Sequence, residues 1–442
     1  MTRVIITAIG SAGDVHPLLG IGAALAARGH EIVFCSHAPF ADAATRQRFE
    51  FVPIGTAADY ATAMANPALW HPRTSFRTLW AVIAPTLRPH FHTLAELTRD
   101  DTVLVGTLWA FSARLMQEMY RVPLVSVQVS PSTLLSAHAP PTHPRLTIPH
   151  RLPLGVKAAL LRLIERHALD KVCGPALNAL RTQLGLAPAT RIFGEWLHST
   201  DGVLCLFPEW FAQPQPDWPA PRLMSGFPLF NDTTAHAPDP QLDAFIAAGE
   251  RPVVFTAGST LIDHARYTAA VRAALKESGL RGILLTPDAP PAEARAGQDD
   301  TQSVLLKRRY VPLQTLLPRC RALVHHGGIG TAALAYAAGI PQIVTPFAHD
   351  QFDNAQRVVA SGCGLRLDAP VQAPALARAL DHVLDSPSIA LQCGHMQDQL
   401  AASPEGCDAA ARYIEGFMQS GTRPQDVPRT RAPAFADSGQ SA

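Results

Sequence analysis

From its first residues the chain alternates short β-branched apolar runs with longer stretches of helical periodicity. Residues 4–9, 31–35, 51–54, 103–105 and 124–129 read as strands, and 17–28, 75–98 and 109–120 read as helices between them. Such alternation predicts a parallel sheet with crossover helices on its faces. GVLCLFP (202–208) reads as one more strand, and the stretch after it, EWFAQPQPDWPAPRLMSGFPLFNDTTAHAPDPQ, is proline-dense and aperiodic. The alternation then restarts with PVVFTAGST (252–260), GILLTP (282–287), SVLLKRRYV (303–311), ALVHHGG (322–328), QIVTPF (342–347) and GLRLD (364–368), followed by helical pattern over 373–418. The expected division is therefore an α/β domain over 1–212, a Pro-rich linker over 213–245, a second α/β domain over 246–420, and a polar tail over 421–442 expected to be disordered. Two Rossmann-like domains facing each other enclose a cleft, and ligands bind where the carboxyl ends of both sheets point.

Composition narrows the function classes. With 442 residues, 47% hydrophobic and 17% charged, the chain can bury two cores. A net charge of +1 offers no basic face to a nucleic acid. Seven cysteines at 35, 173, 205, 320, 363, 393 and 407 include no C-x-x-C, so neither a disulfide framework nor a zinc site is expected, and a reducing cytoplasm fits. The N-terminal apolar run is too short for a signal peptide, and no 18-residue apolar stretch occurs. A spanning helix is not expected; peripheral contact with the inner membrane is left open.

The chemistry concentrates at strand ends. ALVHHGGIGTAALAYAAG is a buried strand, a glycine turn and a helix, so backbone N–H groups near Gly328, Gly330 and Thr331 would point at an anion. A diphosphate suits those donors, with His326 and the Thr331 hydroxyl adding side-chain bonds; an ordinary strand-to-helix turn is the plain alternative. The Rossmann G-x-G-x-x-G pattern is not matched. Beyond the next strand, TPFAHDQFDNAQRV places Asp350 beside Gln351, a carboxylate and an amide suited to vicinal hydroxyls, although Asp350 could equally be a helix N-cap. Ser259 and Thr260 in TAGST offer a further small-residue phosphate contact, and Tyr310 and Val311 in RRYVPLQ a wall for a nucleobase. In the first half, AIGSAGDVHP brings Asp14 to a strand-to-helix turn as a general base or an N-cap, with His16 its neighbouring rival. No D-x-D-type metal cluster stands near the diphosphate motif.

Together these motifs resemble the inverting, nucleotide-sugar-dependent glycosyltransferases of the GT-B fold, family 1, over nearly the whole chain. The resemblance implies that His326, Gly328, Gly330 and Thr331 hold the diphosphate, Asp350 and Gln351 the sugar, and Tyr310 the base. Plant members carry a catalytic histidine in G-H-x-x-P; here GDVHP puts Asp14 at that position, as in many bacterial relatives. Eight residues after the diphosphate histidine the family usually has a glutamate for both ribose hydroxyls, and here Leu334 stands, compatible with a deoxyribose. No cofactor and no metal are implied.

Blocks such as LWHPRTSF, QVSPSTLLSAH, GFPLF and AHDQFDNA resemble, within the family, the bacterial rhamnosyltransferases of rhamnolipid (biosurfactant) synthesis. That resemblance implies a dTDP-L-rhamnose donor and a hydroxylated fatty-acid lipid acceptor, a 3-(3-hydroxyalkanoyloxy)alkanoic acid. Phe76, Trp80 and Leu87 on helical spacing, with Trp109 and Gln128, are candidates for the acceptor, against the plain alternative of core packing. One of Arg73, Arg77 and Arg88 would meet its carboxylate. A sterol or polyketide acceptor, a sugar-nucleotide epimerase and a non-catalytic partner of another transferase are the rival readings.

Overall fold

The computed structural model describes residues 2–143, 147–230, 239–256, 264–290 and 303–419. The N-terminal sheet has seven parallel strands: β1 (Arg3–Ala8), β2 (Glu31–Ser36), β3 (Glu50–Pro53), β4 (Thr102–Thr107), β5 (Leu124–Gln128), β6 (Gly202–Cys205) and β7 (Arg222–Met224), in the order β3-β2-β1-β4-β5-β6-β7. Every residue of β1 and β4 is buried, as central strands covered by helices on both faces require. The C-terminal sheet has six: β8 (Val253–Thr256), β9 (Gly282–Leu285), β10 (Leu305–Arg308), β11 (Ala322–His325), β12 (Gln342–Val344) and β13 (Gly364–Arg366), in the order β10-β9-β8-β11-β12-β13.

Both sheets reverse direction beside their first strand, between β1 and β4 and between β8 and β11. A parallel sheet opens a crevice at such a reversal, just past the carboxyl ends of its strands. Asp14 follows β1 and the His326 turn follows β11, so both motifs lie at their sheet's crevice.

The structure departs from the expected division. β7 pairs with β6 from inside the proline-dense stretch; three residues are too few to show a period. The last described helix, Gly406–Gln419, returns to the N-terminal domain, where Cys407, Ala410, Ala411 and Ile414 share a core with Val4, Ile6, Leu18 and Leu19. Arg28 pairs with Asp408 and, at 3.1 Å, with Glu415, which also lies 3.0 Å from His30. The apolar stripe of this helix fits the helix Ala12–Ala27, a preference that sequence order cannot express. The region 75–98 is two helices, Ser75–Ile83 and Leu87–Leu97, parted by a turn at Ala84–Thr86 that contains Pro85.

Candidate functional site

After β1 the chain is tied to β4, because the N–H of Ile9 donates to Thr107 Oγ1 at 3.1 Å. Gly10 then takes φ +141°, and a Cβ there would fall 2.3 Å from Asp14 Oδ2, so only glycine lets that carboxylate fold back over the turn. The helix starts at Ala12, earlier than the periodicity indicated, which puts Asp14 in its first turn. Its Oδ2 accepts from the backbone N–H of Ser11 at 2.8 Å and from the Ser11 hydroxyl at 3.1 Å. Burial pushes the Asp14 carboxyl up to about 6, the charge of Asp350 in the other domain adds to the rise, and the Ser11 bonds oppose it. His16 is exposed and packs edge-on against Phe40 at 6.1 Å.

Three polar groups that run from Asp14 into the N-terminal domain, Tyr60, His37 and His90, carried no signal in the sequence. The Tyr60 ring lies 4.9 Å from His37 and 6.1 Å from Phe40, and its hydroxyl pKa is raised by burial and by Asp14. His37 Nδ1 is 3.2 Å from the carbonyl of Ile54. His90 is buried with neither ring nitrogen bonded among the described residues, and burial, with His37 adding, pushes it down to about 4. His37 follows the end of β2, and Tyr60 and His90 sit on the helices Ala57–Ala65 and Leu87–Leu97, a convergence that no local motif encodes.

In the C-terminal domain β11 ends at His325, a fully buried structural residue: one ring nitrogen lies 3.0 Å from Gln342 Oε1, and the other accepts the N–H of Gly327 at 3.2 Å. Gly327 has φ +99°, and a Cβ there would press on Val344 and on the backbone of Gln351, so the turn requires glycine. The next helix, Ile329–Ala338, is capped by Gly328, which has no side chain to satisfy its first N–H groups. Ala332 makes the first bond, to Gly328 O at 3.0 Å, whereas the N–H groups of Ile329, Gly330 and Thr331 make none among the described residues. No acidic residue occupies that turn, and nothing lies within 4 Å of where a Gly330 Cβ would be. Beside it, His326 Nδ1 is buried without a partner among the described residues, and burial pushes the imidazole down to about 4, keeping it neutral at pH 7. Unpartnered donors, a positive dipole end and open space form a receptor for an anion.

Asp350 stands at the N-cap position of the helix Gln351–Ala360 but bonds none of its backbone donors. Instead its Oδ2 accepts from Asn354 Nδ2 at 2.8 Å, and the same amide reaches Gly327 O at 2.9 Å, locking this loop to the glycine turn. Burial raises the Asp350 pKa, and the bond from Asn354 and the charge of His349 oppose the rise. His349 holds φ +50°, a backbone strain at a site where two domains meet, and packs edge-on against Trp70 at 5.5 Å. Gln351 is buried, and its Oε1 accepts from the N–H groups of Phe347 and Ala348 at 2.9 and 3.0 Å. The amide oxygen is thus taken, and the NH2 remains for a ligand. Ser130 Oγ sits 3.4 Å from Asn354 Oδ1, and Asp353 Oδ1 accepts from the Thr142 N–H at 2.8 Å, so the loop after β5 closes on this helix.

The remaining expectations divide. Tyr310 is 55% exposed, whereas the Val311 side chain is buried in a core cluster and can offer a ligand only its backbone. Ser259 and Thr260 lie outside the described residues. Leu334 packs against the same core cluster as Val311, so no carboxylate stands there. Trp80 is buried, with its ring 5.0 Å from Phe111, and belongs to the core rather than to an acceptor surface. Gln128 is buried too, its oxygen accepting from Thr133 at 2.7 Å. Trp109 is half-buried, 6.1 Å from Phe76 and 5.7 Å from Phe193. Arg73, Arg77 and Arg88 are exposed, and Arg88 bonds Gln183. All seven cysteines are free and buried.

Known proteins share the family and the fold. Residues 4–139 match the Glycosyltransferase family 28 N-terminal domain, and residues 294–415 match the Erythromycin biosynthesis protein CIII-like C-terminal domain. Glycosyltransferase GtfC of Amycolatopsis orientalis is 30% identical over 382 residues, 84% of this chain and 87% of the relative. The O-mycaminosyltylonolide 6-deoxyallosyltransferase of Streptomyces fradiae is 26% identical, spanning 95% of this chain and 98% of its own. The fold is that of glycosyltransferase VinC, solved in complex with dTDP (TM-score 0.67, 21% identity, 95% of this chain and 100% of that one). It is also that of the spinosyn rhamnosyltransferase SpnG (TM-score 0.63, 22% identity, 94% and 100%). The chain belongs to the GT-B glycosyltransferases of family 1. It is an enzyme of the sugar-nucleotide-dependent type, similar to transferases of antibiotic synthesis.

Proposed function

We propose that the chain transfers L-rhamnose from dTDP-L-rhamnose to the free hydroxyl of a 3-(3-hydroxyalkanoyloxy)alkanoic acid, with inversion and without a metal. The observation that carries the transfer is the opposition of two groups across the cleft: a carboxylate raised to about 6 on one side, and an unpartnered helix N-terminus with Asp350 on the other. In a single in-line displacement, Asp14 takes the acceptor hydroxyl proton as that oxygen bonds to the anomeric carbon, and the bond from that carbon to dTDP breaks. The negative charge that develops on the diphosphate is met by preorganised N–H groups of Ile329, Gly330 and Thr331 and by neutral His326. Asp350 and the Gln351 NH2 hold the sugar hydroxyls, and Tyr310 lies against the base.

A thymidine donor is supported by Leu334, which leaves no carboxylate for a second ribose hydroxyl, and by the dTDP bound in VinC. Rhamnose is supported by the quoted sequence blocks and by the name of SpnG. The half-buried Phe76 and Trp109 provide apolar surface for acyl chains, and Tyr60 provides a polar group near the base. A macrolide or other polyketide acceptor is the second reading, favoured by the tylonolide relative. Incubation of the purified chain with dTDP-L-rhamnose and a panel of hydroxylated lipids and polyketides, with chelator present and products read by mass spectrometry, tests both. Rhamnosylated hydroxyalkanoyloxyalkanoate is the expected product; turnover of polyketides alone would replace the first reading with the second.

A further inference from the structure

Three of the six large hydrophobic side chains most exposed among the described residues sit on one helix, Leu154–Ile164: Leu154 at 46%, Val156 at 45% and Leu163 at 55%. Val156, Ala159, Leu160 and Leu163 follow i, i+3, i+4, i+7 spacing, an apolar stripe of the kind that normally faces a core. Here it faces outward, and none of this helix's leucine, isoleucine or valine side chains belongs to any of the four hydrophobic cores. On the inner face Lys157 is followed, one and two turns on, by the half-buried Leu161 and Ile164. Lys157 is buried, its ammonium 3.4 Å from His138 O and 3.5 Å from His150 O, and the buried Glu165 just beyond accepts from the Gly194 N–H at 2.7 Å. Hydrogen bonds to the buried Lys157 and Glu165 thus fix which side of the helix turns inward and leave Val156, Ala159 and Leu163 exposed.

Beside the stripe stand Arg151, Arg162 and Arg166, all exposed and none in an ion pair among the described residues. Apolar side chains flanked by unpaired cations match the boundary between acyl chains and anionic headgroups. We infer that this helix docks the enzyme, in the plane of the surface, on a bilayer containing anionic phospholipid. A second copy of the chain fits less well, because a twofold contact would set the same three arginines against themselves. Eleven residues make a helix of roughly 16 Å, which can lie on a bilayer but not cross it. The helix leaves the same β5 excursion whose Ser130 and Thr142 reach the C-terminal domain at the cleft, so docking would bring an amphiphilic acceptor to the mouth of the site. The inference rests on the helix alone and holds whichever acceptor the cleft takes.

Vesicle co-sedimentation of the full chain tests it, using phosphatidylcholine vesicles with and without about a quarter phosphatidylglycerol. Wild type should bind the anionic vesicles, more weakly as salt rises, and leave neutral ones unbound. Val156→Glu with Leu163→Glu, and separately Arg151→Gln with Arg162→Gln and Arg166→Gln, should each weaken binding on the order of tenfold or more. Because every altered side chain is exposed, circular dichroism, melting and transfer to a micelle-free, water-soluble acceptor should not change. Equal binding to both vesicle types, undiminished binding by both variants, or a wild-type dimer that the glutamate variant dissolves in ultracentrifugation would overturn the inference, the last by naming a second copy as the occupant.

Discussion

Asp14 combines two roles that pull its energetics in opposite directions. Its place in a first helical turn, with two bonds from Ser11, favours the charge; burial in the cleft opposes it and wins, leaving the carboxyl at about 6 instead of 3.8. A raised acid pKa means that the folded chain holds the proton more tightly than the unfolded one. Stability therefore falls as pH climbs from about 4 to 6, and above that range the ionised group costs the fold about 2–3 kcal/mol. Asp14→Asn should abolish transfer, by about a thousandfold or more, yet melt no lower than wild type at pH 7; thermal melts and single-turnover assays check both halves. In wild type, kcat/KM should rise with pH through about 6. His326→Ala acts on the other partner: dTDP affinity by calorimetry should weaken about tenfold, since a buried donor to the diphosphate is lost. The positions of Asp14, His326, Asp350 and Gln351 past strand ends were legible, because each belongs to a short local motif. That the Gln351 oxygen is already spent on Phe347 and Ala348 was not, since a dipeptide does not reveal which way its amide turns.

Among the elements, the helix Gln351–Ala360 couples the rest. Asn354 bonds Gly327 O and Asp350 and approaches Ser130 of the other domain, so one amide joins the glycine turn, the Asp350 loop and the cleft wall. Asn354→Ala removes that junction and leaves Gly327 O buried without its donor. The donor KM should rise by about tenfold or more while dTDP alone binds nearly as before, because the sugar loop is loosened and the helix donors remain. Steady-state kinetics set beside calorimetry separate the two effects. Strands were readable from continuous apolar runs, which central parallel strands must have. β7, at three residues, and the early start of the helix Ala12–Ala27 were not, because Gly and Ser open that helix before any apolar period begins.

On the scale of the whole molecule, buried neutral histidines set the acid limit. His90, His198 and His326 are pushed down to about 4 and His325 to about 3, all chiefly by burial. Their lowered pKa values make the folded state bind protons less readily than the unfolded one. The stability they support is complete above about 6.5 and drains away as pH falls toward 4, against the smaller opposite trend of Asp14. Melting temperature should accordingly drop steeply between pH 7 and 5; a flat profile would mean that these rings are solvated. The return of the helix Gly406–Gln419 to the N-terminal domain was hidden from the sequence, since an amphipathic stripe names no partner. The two α/β domains and the cleft between them were visible, because two sets of alternating elements admit few other arrangements. A structure of crystals grown with thymidine diphosphate tests the account most directly. The diphosphate should lie against the N–H groups of Ile329, Gly330 and Thr331 with His326 beside it; the nucleotide bound elsewhere, with that helix end empty, would contradict it.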